Sequence, residues 1–183
     1  MIDPQNIVRY DYTDDGLEEL LIFCVCVAGK SAKTIAPRVH DLCNMIYEEE
    51  LSPFDTIKVY RRALDQSLKE LGIGCYNQKS NTIWELILAG LDLRTCSVSD
   101  LEAIKGIGPK TARFFVMSSR EGAQHAALDT HLLKWLRAQG IDAPKSTPTG
   151  KKYLDLEQKF IKMVPEGMTP AEFDLKIWKE HSK

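Results

Sequence analysis

Residues 99–115 alternate a helix signal, a glycine pair and a second, basic helix start. Ser99-Asp100-Leu101-Glu102 has the form of a capping box, which predicts a short helix running to Lys105. Gly106-Ile107-Gly108 then interrupts it. Pro109, suited to a first helical position, restarts a helix through Lys110, Thr111, Ala112, Arg113, Phe114 and Phe115. Two glycines allow a tight reversal and let main-chain N–H groups approach a ligand with no side chain in the way. Ile107 between them is suited to anchor the turn in a core. The N–H groups opening the second helix carry a partial positive charge and suit a phosphate oxygen. Lys105, Lys110 and Arg113 add full charges with no acid nearby in the sequence. A plain turn between helices needs none of these features together, so the stretch predicts a phosphate-binding hairpin.

The charge layout agrees with that. Overall the chain of 183 residues is mildly acidic, with a net charge of −2. Residues 1–50 hold 4 basic and 10 acidic side chains, whereas residues 101–152 hold 9 basic and 4 acidic. A phosphate-facing surface needs local positive charge, and an acidic half elsewhere does not prevent it. Hydrophobic content of 44% is enough for one compact domain or two small interleaved ones with a real core. The longest apolar run covers nine residues from Leu20, far too short to span a bilayer. Met1-Ile2-Asp3-Pro4 lacks the pattern of a secretory leader, which makes the cytoplasm the expected compartment. Cys24, Cys26, Cys43, Cys75 and Cys96 are odd in number, scattered and mostly set in apolar stretches, so buried thiols are expected rather than a disulfide framework.

The elements that must hold the hairpin read as helical almost throughout. Residues 17–28 form a mostly apolar helix. Ile35, Val39, Leu42 and Ile46 share one face of a second helix that Ser31 can cap, with Pro37 predicting a kink or a late start. Ile57, Leu64, Leu68 and Leu71 mark a third helix that ends at Gly72. A turn over residues 72–77 leads to a fourth helix through Ile83, Leu86 and Ile87. Asp129 caps a helix over Thr130–Ala138, residues 143–150 form a surface loop, and Thr169-Pro170-Ala171-Glu172 opens a last helix through Phe173 and Ile177. No alternating strand pattern or internal repeat is evident.

The run Ile104-Lys105-Gly106-Ile107-Gly108-Pro109-Lys110-Thr111-Ala112 resembles the hairpin of the helix-hairpin-helix DNA glycosylase superfamily. Nineteen residues after Lys110, Leu128-Asp129-Thr130-His131 resembles that family's catalytic-aspartate motif. Leu21-Ile22-Phe23-Cys24 through Ser31-Ala32, and Tyr76-Asn77-Gln78-Lys79, agree as well. The most similar branches are endonuclease III and the small 8-oxoguanine glycosylases. The resemblance implies an all-α fold of two interleaved helical lobes with a DNA-binding cleft between them. One lobe would span residues 30–124 and carry the hairpin at 99–118; residues 1–29 and 125–183 would form the other.

It also implies a chemistry. Members with strand-cleaving activity carry lysine where Lys110 stands, so Lys110 is expected to be the amine nucleophile and Asp129 its carboxylate partner. A free lysine is charged at neutral pH, yet the amine must be neutral to attack. A helix start, neighbouring cations and burial under DNA all disfavour the charged form. Asp129, held by helix N–H groups, is expected to remain a carboxylate that stabilises positive charge on the deoxyribose or helps activate the amine. The implied activity is base-excision repair: a damaged, oxidised base such as 8-oxoguanine is flipped out and removed through a Lys110 Schiff base, followed by abasic-site lyase cleavage.

Lys105, Gly106, Ile107, Gly108, Thr111 and Arg113 are the expected DNA contacts, with Lys30, in Gly29-Lys30-Ser31, placed to act as a wedge. Asp174 and Trp178, four apart on the last helix, match an Asp-Leu-x-x-Trp pattern that shapes the base pocket in the small 8-oxoguanine glycosylases; Lys183 is a further pocket candidate. His131, Trp135, Phe114 and Phe115 are read as packing residues. No cysteine follows Cys96, so the iron–sulfur loop of many relatives has no ligands here. No cofactor is expected beyond a monovalent cation at the hairpin. The expected partner is double-stranded DNA with a damaged base or abasic site, bound by a monomer without membrane contact. Two rivals remain: a glycosylase-like viral enzyme that modifies hydroxymethyl-uracil-derived bases, and a non-catalytic hairpin DNA-binding module.

Overall fold

The structure, a computed structural model, describes residues 1–44 and 51–181. Among these residues every regular element is a helix. The helices are α1 (Asp14–Cys26), α2 (Ala32–Cys43), α3 (Pro53–Val59), α4 (Leu64–Glu70), α5 (Tyr76–Ala89), α6 (Val98–Glu102), α7 (Pro109–Ser119), α8 (Thr130–Ala138), α9 (Gly150–Ile161) and α10 (Pro170–His181), with a 3-10 turn at Arg61–Ala63. No helix among the described residues is long and apolar enough to cross a membrane. The chain divides into two compact units, Met1–Ile7 with Asp11–Ile107, and Val8–Tyr10 with Gly108–Lys183.

In the first unit α1 is the central element. Leu20, Leu21, Ile22, Phe23 and Cys26 are fully buried, and α2, α3 and α5 pack against it. The second helix runs through Pro37, and Ser31 occupies its N-cap position without a side-chain cap bond. The single third helix expected across Ile57–Leu71 is instead α3, a 3-10 turn and α4. Tyr60, Arg61 and Arg62 between them are exposed, so no core packing carries the helix across. Cys24, Cys26 and Cys96 are buried, but Cys43 is only partly so and Cys75 is exposed at the start of α5, where its φ is 59°.

The short helix before the hairpin starts two residues earlier than its sequence suggested. Ser97, not Ser99, is the cap: its Oγ accepts from the Asp100 N–H at 3.1 Å and an Asp100 oxygen accepts from the Ser97 N–H at 2.8 Å. Serines at both 97 and 99 precede an acid three residues on, and the box with Asp100 is the one that forms. The helix ends at Glu102 rather than Lys105. Gly106 then adopts φ +98°, and a side chain there would overlap Thr82 of α5, so both conformation and space require glycine. Ile107 is buried, as an anchor should be.

In the second unit, α10 packs on α8 and α7. Residues 8–10 join it through the Arg9 N–H, which donates to the Ser118 carbonyl at 3.0 Å. Its core combines Leu128, Leu132, Leu133, Leu136, Leu156, Phe160 and Ile177 with a partly buried aromatic group. Trp135 meets Phe160 and Phe173 edge-on at 6.1 and 5.4 Å, while those two phenylalanines stack at 5.6 Å. Trp135 is therefore a packing residue, and Phe115 is fully buried. The box opening α10 forms as expected, with Thr169 and Glu172 exchanging bonds of 2.7 and 3.2 Å. Helix α9 had no sequence expectation. It follows the surface loop directly, and its buried stripe of Tyr153, Leu156, Glu157 and Phe160 contains a carboxylate where a core residue would be sought.

Candidate active site

Helix α7 begins at Pro109 with Gly108 as its N-cap and no side-chain cap bond. Its first N–H groups are thus left to another partner. Lys110 is the second residue of that helix and is half-buried. Asp129 stands at the start of α8, where its side chain accepts the Leu132 N–H at 2.8 Å. That cap uses one carboxylate lone pair and leaves the rest of the group half-exposed.

Asp174, on α10, is influenced by both. It is buried and accepts the Ala127 N–H. Burial holds its carboxyl well above the usual carboxylate range, and the negative charge of Asp129 pushes it further up. The Ala127 bond and the Lys110 ammonium pull the other way without prevailing. Lys110 and Asp129 therefore both lie within electrostatic reach of one buried acid, and all three belong to the unit formed by Val8–Tyr10 and Gly108–Lys183. An amine, a carboxylate and a buried acid that interact in this way can do nucleophilic and proton-transfer chemistry. Trp178 lies one turn beyond Asp174 on the same helix face and is partly exposed.

Several expected DNA contacts sit differently from how they read. Arg113 is not a cation without an acid: its side chain is buried, and its Nε donates to Glu157 Oε1 at 2.8 Å. The guanidinium also lies over the Tyr153 ring, 4.6 Å from its centroid. The acid that pairs with it is 44 positions away, beyond the reach of a local reading. Thr111 is buried as well. Lys105, Gly106 and Gly108 are exposed, and so is Lys30, whose ammonium lies over Gly74. Lys30, Lys105, Gly106 and Ile107 belong to the first unit. Lys183 lies outside the described residues. Among the described residues no group of three or more His, Cys, Asp or Glu could hold a metal ion.

Sequence reasoning missed Glu157, Tyr153 and Thr147. Glu157 accepts from Arg113, from the Ala126 N–H at 3.1 Å, and has His125 Nδ1 at 3.4 Å. The Tyr153 hydroxyl donates to the Ala126 carbonyl at 2.7 Å and accepts the Leu128 N–H at 3.2 Å. Thr147 donates to the Leu128 carbonyl at 2.8 Å. The available signal was a glutamate among the apolar positions of α9, which marks a buried charge in need of a partner.

A model of the 8-oxoguanine DNA glycosylase family matches residues 5–167. Among solved structures, the chain is similar to the 8-oxoguanine DNA glycosylase of Thermotoga maritima, with 24% identity and a TM-score of 0.76 over 97% of this chain and 86% of that one. It is also similar to the 8-oxoguanine glycosylase/lyase of Methanocaldococcus jannaschii in complex with a 15mer DNA containing 8-oxoguanine. There the identity is 21% and the TM-score 0.73, over 98% of this chain and 87% of that one. A second structure of the Methanocaldococcus jannaschii 8-oxoguanine DNA glycosylase gives 20% identity and a TM-score of 0.73, over 98% and 85%. At such identities the structural likeness establishes the fold. With the family match extending over residues 5–167, the chain belongs to the 8-oxoguanine DNA glycosylase family.

Proposed function

We propose that this protein removes 8-oxoguanine from duplex DNA and then cleaves the strand, with Lys110 as the nucleophile and Asp129 as its charge partner. The observation that carries the reading is that the Lys110 and Asp129 charges both act on buried Asp174 inside one compact unit. Family membership supplies the reaction class; these residues supply a way to perform it.

The damaged nucleotide is turned out of the duplex at an unstacking cost of a few kcal/mol, roughly. The Lys110 nitrogen lone pair forms a bond to C1′ of the sugar. The N-glycosidic bond breaks, its electron pair leaves with the base, and the base takes up a proton. Asp129 offsets the positive charge that develops on the sugar ring. Loss of the amine proton and ring opening give a Schiff base at C1′. Removal of a C2′ proton then breaks the C3′–O bond, and the strand separates 3′ to the lesion. Asp174, whose carboxyl burial and Asp129 hold well above the usual range, and Trp178, with an indole face, are suited to bind the edge and the face of the flipped base.

The uncapped start of α7 is suited to hold a phosphate beside the lesion. The family implies a monovalent cation at the hairpin. Main-chain oxygens of residues 104–108 are the donor chemistry such an ion requires, and its charge would help seat the phosphate. No step of the reaction depends on it.

Borohydride trapping tests the reading. Wild-type protein with an 8-oxoguanine duplex is expected to give a covalent adduct and a nicked strand, and Lys110→Gln neither. An adduct that survives in Lys110→Gln would remove Lys110 from its role. Activity on a hydroxymethyl-uracil-derived base, with none on 8-oxoguanine, would convert the reading to base modification.

A further inference from the structure

The stretch just before Asp129 is buried but not helical, so its main-chain groups need partners from elsewhere. Each one has a partner. The Ala126 N–H goes to Glu157 and its carbonyl to the Tyr153 hydroxyl. The Ala127 N–H goes to Asp174, and its carbonyl accepts from the Asp129 N–H. The Leu128 N–H goes to Tyr153 and its carbonyl to Thr147. Four of these six bonds are made by three side chains, Glu157, Tyr153 and Thr147. Arg113 in turn fixes Glu157 from α7, the helix that carries Lys110.

We infer that Glu157, Tyr153 and Thr147, with Arg113 behind Glu157, are positioning residues for excision, clamping residues 126–128 so that Asp129 and the Ala127 N–H stay aimed at the site. The Tyr153 hydroxyl has one hydrogen to give and uses it on Ala126 while receiving Leu128, so it reads the separation of two residues on one strand of chain. Glu157 joins α9 to α7 through Arg113, and so ties the aspartate segment to the helix of the nucleophile. A residue at the reacting centre that moves by about 1 Å can lose about 100-fold in rate. The clamp stands against that loss. The inference rests on the Lys110 and Asp129 reading above.

Tyr153→Phe removes one oxygen and keeps the ring in the core; Thr147→Val removes a single bond at an exposed residue. The readouts are the single-turnover excision rate on an 8-oxoguanine duplex and the affinity for a duplex carrying a stable abasic analogue. Tyr153→Phe is expected to slow excision about tenfold and Thr147→Val about threefold, with affinity within about twofold of wild type. Lost packing alone would lower rate and affinity together, so a parallel fall overturns the inference, as does a wild-type rate in both variants. If Tyr153→Phe does not fold, Thr147→Val decides by itself. Lys110→Gln run alongside separates the two levels. Loss of the trapped adduct there, with unchanged excision in the clamp variants, sinks the clamp alone; a retained adduct sinks the catalytic reading and the clamp with it.

Discussion

Two carboxylates lie buried in the unit that holds the site, and their surroundings treat them in opposite ways. Glu157 has a guanidinium 2.8 Å away, a main-chain N–H and a histidine. Burial alone would raise its carboxyl, but His125, the Ala126 N–H and Arg113 together hold it below the usual range. Asp174 has burial and a second carboxylate, Asp129, against it, and the Ala127 N–H with Lys110 does not compensate. The first group is satisfied within the fold. The second is held with its carboxyl well above the usual range, an arrangement a protein tolerates where a ligand or a reaction will use it.

Replacing the carboxylate at the active pair tests the contrast most severely. Asp129→Asn keeps the α8 cap, since asparagine caps a helix about as well, so stability should change by less than about 1 kcal/mol. Excision should fall by about 100-fold or more if, as proposed, Asp129 supplies the charge that offsets the one developing on the sugar. Single-turnover rates beside thermal melts check both halves, and a retained rate would leave Asp129 a mere cap.

The opposite pattern is expected at the paired site. Glu157→Ala strands a buried guanidinium and should cost about 3–5 kcal/mol in chemical denaturation. The double variant Arg113→Met with Glu157→Leu removes both charges and leaves chiefly the Ala126 N–H without its acceptor, a loss of about 1–3 kcal/mol. A double variant as unstable as the single would show that the pair does more than cancel its own burial.

A smaller effect of opposite sign is expected at Asp174. Its carboxyl is raised on folding, so the native state binds the extra proton and this group's contribution falls as pH rises from about 4 toward neutrality. Asp174→Asn, an uncharged mimic of the protonated acid, should therefore raise the melting temperature near neutral pH, and the gain should shrink toward about pH 4. An equal gain at both ends would contradict the raised carboxyl. Glu157, being lowered, contributes stability above its ordinary value of 4.5, and that contribution is lost as pH falls through the lower folded value. Apart from the loss of the ion pair, which it shares with Glu157→Ala, Glu157→Gln should flatten the acid limb of the stability curve, the smallest of these pH effects.

Much of the site was legible locally. The glycine pair, Pro109 and the basic start of α7 lie within a few residues of one another, and Gly106 proved necessary on both conformation and space. Asp129 was legible as the cap of α8 because capping involves the next three residues only. The third helix breaks at the exposed residues 60–62, and of two overlapping capping boxes the one with Asp100 forms. Arg113 was misread for a different reason: its isolation from acids was true along the chain and false in space.

The sequence by itself determined the helical fold and the hairpin, since each follows from patterns spanning one or two turns of chain, and its resemblance to a family pointed to the proposed amine and acid. Tertiary structure alone decided that Glu157 would neutralise Arg113, that Asp174 would be pressed against Asp129, and that residues 126–128 would hang from α9 and α10. Those outcomes depend on which distant surfaces bury one another, and electrostatics inside a protein is set by that burial rather than by the order of residues.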